Sequence, residues 1–112
     1  RTDATKLLTE GVKIATEAWR HTQAAFAVAM GEVAAFCLHQ VGKANHEAVL
    51  KTLGLPPERA PRLYPDLGNV GAASVPIGLS MATESGLLAS GERGLLMGIG
   101  SGLNSWMMVV DW

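Results

Sequence analysis

Two stretches constrain this chain more than any others. Val33 to Leu38 (VAAFCL) and Gly94 to Ile99 (GLLMGI) are short, β-capable and free of the polar alternation that a strand with one wet face requires. Strands of that kind must be covered on both faces, and the flanking sequence supplies the cover. From Asp3 to about Ala29, the residues Leu8, Val12, Ala15, Trp19 and Phe26 recur at helical steps, the stripe of an amphipathic helix that Thr2 or Asp3 can cap. Lys43 to Leu53 reads as a second helix, stopped by Gly54 and barred from continuing by Pro56 and Pro57. Glu58 to Leu67 carries Pro61 and Pro65 and is expected to be extended loop with at most a short edge strand. Gly71 to Ser85 starts with small residues and turns helical, with Val75, Leu79 and Ala82 on one face and Pro76 tolerable near the first turn; Gly78 permits close approach of a neighbour. Ser90, Gly91 and Glu92 form a turn. Gly100, Ser101 and Gly102 break the second strand before Ser105 to Asp111 resumes as a third, close enough to pair with it as an antiparallel hairpin. Helix, strand, helix, loop, helix, strand, strand is an α/β arrangement, a mixed sheet covered by helices.

With 112 residues, 48% of them hydrophobic, the chain suits one small domain with a real core. Nine Lys and Arg against ten Asp and Glu leave a net charge of -1, so no basic field gathers nucleic acid or an anionic membrane. The single cysteine makes no internal disulfide, no secretory signal is visible, and the apolar runs are too short or too broken by Gly and Ser to span a bilayer. These features point to a cytoplasmic protein with no nucleic-acid partner and no membrane span. The chain begins at Arg1, without an initiator Met, and runs at once into a helical pattern that needs something to pack against, so a fragment of a longer protein is expected.

His39 closes the first apolar run, and Asn69 follows in a loop of small residues at the mouth of a helix. A lone His at a strand end is usually structural, and an Asn in a turn often serves only the backbone. Together they suit one chemistry. An acyl thioester that loses a proton or a carboxylate from its α-carbon becomes an enolate, and its oxygen needs preorganised donors in a dry pocket. A neutral imidazole N–H and a side-chain amide are donors that bring no charge into such a site. Cys37 is no nucleophile on this reading: it lies inside the strand, with no helix N-terminus after it to lower its pKa. Gly98-x-Gly100-x-Gly102 leads into a strand rather than a helix, which argues against a dinucleotide. His21, His39, His46 and Cys37 have no zinc-ligand spacing, and His46 is expected near a solvated helix face. Lys43 and Arg93 are read as solvated, and Trp19, Trp106 and Trp112 as core or interface.

His39-Gln40 at a strand end, Gly68-Asn69 followed by Ala72-Ala73-Ser74-Val75-Pro76, and Gly98-Ile99-Gly100-Ser101-Gly102 entering the last strand resemble the C-terminal part of thiolase-superfamily condensing enzymes. The group most resembled is the 3-oxoacyl-[acyl-carrier-protein] synthase III type. Within it, Tyr64 to Asn69, together with Gly98 to Asn104, Met107, Met108 and Trp112, resemble the OleA-type branch that joins two fatty acyl-CoAs head to head in hydrocarbon biosynthesis. Residues 1–112 would then be the C-terminal half of a thiolase fold. The resemblance implies that His39 and Asn69 are the two donors of the active-site triad, and that the backbone around Ser101, between Gly100 and Gly102, helps form the oxyanion hole. It places the nucleophilic Cys in an absent N-terminal half, which leaves this chain alone inactive, and implies a homodimer. It also implies a fatty acyl-CoA or acyl-carrier-protein substrate, no cofactor and no metal. Carrier-protein-dependent initiation enzymes usually have Ala-Asn after the His-Gln pair. Val41-Gly42 stands there in this chain, which favours the acyl-CoA branch and its non-decarboxylative Claisen condensation. The alternatives are the carrier-protein-dependent synthase of fatty-acid biosynthesis and a non-catalytic half domain acting as partner or scaffold.

Overall fold

The computed structural model describes residues 4–26, 29–40, 42–100 and 104–112. In chain order the elements are α1 (Ala4–Phe26), β1 (Val33–Leu38), α2 (Lys43–Leu53), α3 (Tyr64–Leu67), α4 (Ser74–Glu84), β2 (Arg93–Gly100) and β3 (Asn104–Asp111). Single 3₁₀ turns lie at Met30–Glu32, Pro57–Arg59 and Gly71–Ala73. The strands form a mixed sheet in the order β1-β2-β3, with β1 and β2 parallel and β2 and β3 antiparallel. A parallel pair cannot be closed by a tight turn. The whole stretch from α2 to α4 is therefore the crossover, while β2 and β3 form the expected hairpin.

Both apolar runs are covered on two sides, as their composition requires. On one face, Ala15 and Trp19 of α1 and Val49, Leu50 and Leu53 of α2 pack against Val33, Phe36, Leu38, Leu95 and Met97. Trp19 meets Phe36 edge to face, with ring centroids 6.1 Å apart. On the other face, Val75 and Ala82 of α4, with Leu88, cover Ala35, Cys37 and Leu96. Gly54 ends α2 in the left-handed region at φ 68°, and its N–H turns back to the carbonyls of Leu50 and Lys51.

Three expectations need correction. The segment from Glu58 to Leu67 contains no strand: it holds the end of a 3₁₀ turn and the one-turn α3, and each begins with a proline in its first turn, where the missing N–H has no intrahelical partner to lose. Phe26 shares the azimuth of Trp19 but lies at the last residue of α1, where it is 63% exposed. Helical spacing specifies direction and not whether anything lies opposite. Arg93 is paired rather than merely solvated: its Nε donates to Asp111 at 2.8 Å across the hairpin, and Glu32 lies 3.6 Å from its Nη1. Trp19 is core, as read, while Trp106 and Trp112 are about half exposed, Trp106 lying over Gly98 on the neighbouring strand. Thr2 and Asp3, and the side chain of Leu8, lie outside the described residues.

Gly78 faces β1, yet a Cβ there would sit 3.6 Å from Cys37 Cβ and 3.7 Å from Leu63 Cδ1, which is ordinary contact. Space therefore does not demand glycine at this position. Gly78→Ala should stabilise the chain by roughly 0.5–1 kcal/mol through helix propensity. A fall in melting temperature would show that β1 and α4 approach more closely than this packing allows.

Candidate active site

Because β1 and β2 are parallel, their C-terminal ends lie at the same edge of the sheet. His39 is the first residue past β1, and its backbone N–H donates to the Met97 carbonyl at 2.9 Å, which carries the ladder one residue beyond the strand. The ring is half-buried and makes no hydrogen bond among the described residues. Gly100 is the last residue of β2, opposite Asn104 in the hairpin. Ser101 and Gly102, the centre and far side of the expected oxyanion loop, lie outside the described residues, as does Val41.

Asn69 is exposed in the loop between α3 and the 3₁₀ turn that opens into α4. Its Oδ1 accepts from the Gly71 N–H at 2.9 Å, an Asx-type turn. That bond settles which end of the amide is which, since only the oxygen can face a backbone N–H, and it leaves the Nδ2 donors without a partner among the described residues. The backbone role and the donor role are thus compatible: the turn holds the oxygen and presents the nitrogen.

The residue that organises this edge is Gln40, which the sequence offers only as the second half of a His-Gln pair. It is fully buried. Its Nε2 donates to the Pro61 carbonyl at 2.7 Å, its Oε1 accepts from the Leu63 N–H at 2.8 Å, and its own carbonyl lies 3.5 Å from the buried Ser74 hydroxyl at the start of α4. The strand end that carries His39 is thereby tied to chain on both sides of Asn69. No signal in the sequence separates such a Gln from a solvated one, because its two short bonds are to backbone groups more than twenty positions away.

His46 overturns the expectation of a solvated position. It is 1% exposed, and neither Nδ1 nor Nε2 has a hydrogen-bond partner among the described residues. Tyr64 lies against it with ring centroids 5.4 Å apart. The spacing His46, Val49, Leu50, Leu53 is the buried stripe of α2, and that pattern was legible. Burial lowers the His46 pKa, the Arg62 guanidinium lowers it further, and Glu47 opposes both. Between α2 and the segment from Gly54 to Tyr64 lies an open cleft of about 830 Å³, which His46, Leu50 and Arg62 help to line. Neither His39 nor Asn69 lines it. Cys37 is fully buried, and burial pushes its thiol up to about 11. Among the described residues no three His, Cys, Asp or Glu side chains cluster as metal ligands would, and no helix is long and apolar enough to cross a membrane.

The sequence model of the family described as 3-oxoacyl-[acyl-carrier-protein] synthase III, C terminal, matches residues 24–112. The chain is 41% identical over 112 residues to an acyl-CoA:acyl-CoA alkyltransferase of Shewanella oneidensis, spanning all of this chain and 32% of that protein. It is 36% identical over 104 residues to a β-ketoacyl-[acyl-carrier-protein] synthase III of Streptomyces coelicolor, spanning 93% of this chain and 32% of that one. The fold superposes on the crystal structure of cerulenin-bound Xanthomonas campestris OleA with a TM-score of 0.92 and 40% identity, covering 99% of this chain and 32% of that one. The chain thus spans about a third of the length of the relatives it matches.

Two outcomes are expected of the chain itself. A His whose folded pKa is depressed stabilises the fold fully above its ordinary pKa near 6.5, and that contribution drains away as pH falls below it. Between pH 7 and 5 the native chain should therefore lose stability, by at most about 1.4 kcal/mol per pH unit from this group. His46→Leu removes two unpartnered nitrogens, so it should melt no lower at pH 7 and lose less on acidification; parallel melting curves for the two proteins would refute the assignment. Thiol reagents should label Cys37 only slowly in the folded chain, because the thiol is neither ionised nor accessible. Labelling as fast as that of a free thiol, followed by mass spectrometry, would contradict this.

Proposed function

Because the chain belongs to the family of 3-oxoacyl-[acyl-carrier-protein] synthase III C-terminal domains, we propose that it supplies the enolate-stabilising part of a thioester-condensing active site. The observation that carries the reading is the orientation of Asn69. With its oxygen held by Gly71, the amide keeps its two N–H donors available, and His39 stands just past the end of β1. Residues 1–112 would form the C-terminal domain of a longer condensing enzyme. Support comes from the relatives' threefold greater length and from large apolar side chains left exposed, among them Phe26, Met81, Trp106, Met108 and Trp112.

The substrates we assign are fatty acyl-CoAs. The acyl-CoA:acyl-CoA alkyltransferase matches over the whole chain at 41% identity, whereas the carrier-protein-type synthase matches at 36% over 93% of it. In the proposed reaction a Cys outside this chain attacks the first acyl-CoA and releases CoA as its thiol. A base, also outside this chain, removes an α-proton from the second acyl-CoA. The charge delocalises onto the thioester oxygen, where the His39 and Asn69 N–H groups meet it. The α-carbon then attacks the acyl-enzyme carbonyl, the Cys thiolate departs, and a β-ketoacyl-CoA is left. Neutral donors suit this step, because a cation would require desolvation in the resting site.

In the complete enzyme, Asn69→Ala should leave acylation intact and slow condensation. Loss of one preorganised donor typically costs about 3 kcal/mol, roughly a hundredfold in rate. The measurement is the burst of free CoA from the first substrate beside the yield of β-keto product. If the burst disappears together with the product, Asn69 supports the fold or the nucleophile and not the enolate. His39→Ala should also slow condensation, with some loss of acylation where the ring assists the thiol.

A further inference from the structure

The hydrogen bonds around Gln40 form a closed circuit. Its side-chain oxygen holds the Leu63 N–H. The Leu63 carbonyl in turn accepts from the Asp66 and Leu67 amides of α3, and the Tyr64 carbonyl accepts from Gly68, immediately before Asn69. Past Asn69, its own Oδ1 takes the Gly71 N–H, the Val70 carbonyl takes the Ala73 N–H, and the Ser74 hydroxyl reaches back to the Gln40 carbonyl. The segment from Leu63 to Ser74, with Asn69 in its middle, therefore hangs from Gln40 at both ends. The residue before Gln40 is His39, itself locked to β2 through Met97.

We propose that Gln40 is a positioning residue for condensation: by clasping both ends of the Asn69 segment it sets where the Asn69 amide stands relative to His39. The inference rests on the enolate-donor reading of that pair. Its basis is that one buried residue supplies both anchors, its side chain at Leu63 and its main-chain carbonyl at Ser74, while the segment between them is bonded mostly to itself; the side chain alone fixes the Leu63 end. Buried donors and acceptors must be satisfied, so removing the amide leaves the Pro61 carbonyl and the Leu63 N–H to find new partners, and the segment shifts to do so. Displacements on the scale of an ångström at a reacting group are enough to slow chemistry substantially.

The test is a double-mutant cycle in the complete enzyme, with the CoA burst and β-keto product formation read separately. Gln40→Ala should keep the burst within about twofold and lower kcat for condensation by roughly ten- to a hundredfold, with little change in KM. On an Asn69→Ala background the same substitution should cost less than about threefold, since the group it positions has gone. A full multiplicative loss on that background overturns the proposal, as does unchanged condensation in Gln40→Ala. If Asn69→Ala itself leaves condensation intact, the enolate reading fails first and the proposal falls with it. Should Gln40→Ala not fold, Gln40→Glu enters the same cycle. It keeps an acceptor for Leu63 and regains a donor for Pro61 only when protonated. Its condensation rate relative to native enzyme should then rise as pH falls, and a pH-independent ratio overturns the proposal.

Discussion

The Gln40 side chain has no access to solvent, so each of its polar atoms must find a partner inside the protein or cost roughly 1–3 kcal/mol. It finds them on the Pro61 carbonyl and the Leu63 N–H, and in doing so determines the path of the chain after α2. Proline at 61 has no N–H of its own to offer, so that stretch could not have joined the sheet as an interior strand. It is held by a side chain where a strand would be held by a ladder. The one-turn α3 and the Asx turn at Asn69 follow from that anchor, each built from short-range bonds.

Topology does the rest. A parallel β1–β2 pair places the ends of both strands at one edge, and the crossover from one to the other must pass over that edge before α4 can run back across the sheet. His39 and Gly100 are far apart in sequence and share this edge for that reason. The opposite layer packs α1 and α2 against Phe36, Leu38 and Met97. It does so with a buried histidine in a position that a leucine would fill. An unpartnered imidazole in such a stripe favours the neutral ring, which is why its pKa falls.

Where the sequence was read correctly, the controlling physics was local. Val33 to Leu38 and Lys43 to Leu53 matched their elements residue for residue, because a run without polar alternation and a glycine stop are each decided within a few positions. The misreadings share a different cause. His46 was judged by its chemistry rather than by its place on the stripe with Val49, Leu50 and Leu53. Phe26 was judged by its place on the stripe, with nothing to say that the stripe would outrun its cover. Pro65 argues for an extended loop, although a first-turn proline starts a short helix as readily as it ends a long one.

By itself the sequence determined the class of fold, the order of its elements and the residue types able to stabilise an enolate, since composition and short-range spacing decide whether a segment is covered and whether it can donate. It also carried the family resemblance, because the motifs at His39, Asn69 and Gly100 are contiguous strings. Only the tertiary structure decided that the Asn69 oxygen is taken by the Gly71 N–H, that Gln40 holds both flanks of that loop, and that His46 is buried. Those are statements about partners from distant parts of the chain, and a buried polar group acquires its role from the partner that satisfies it.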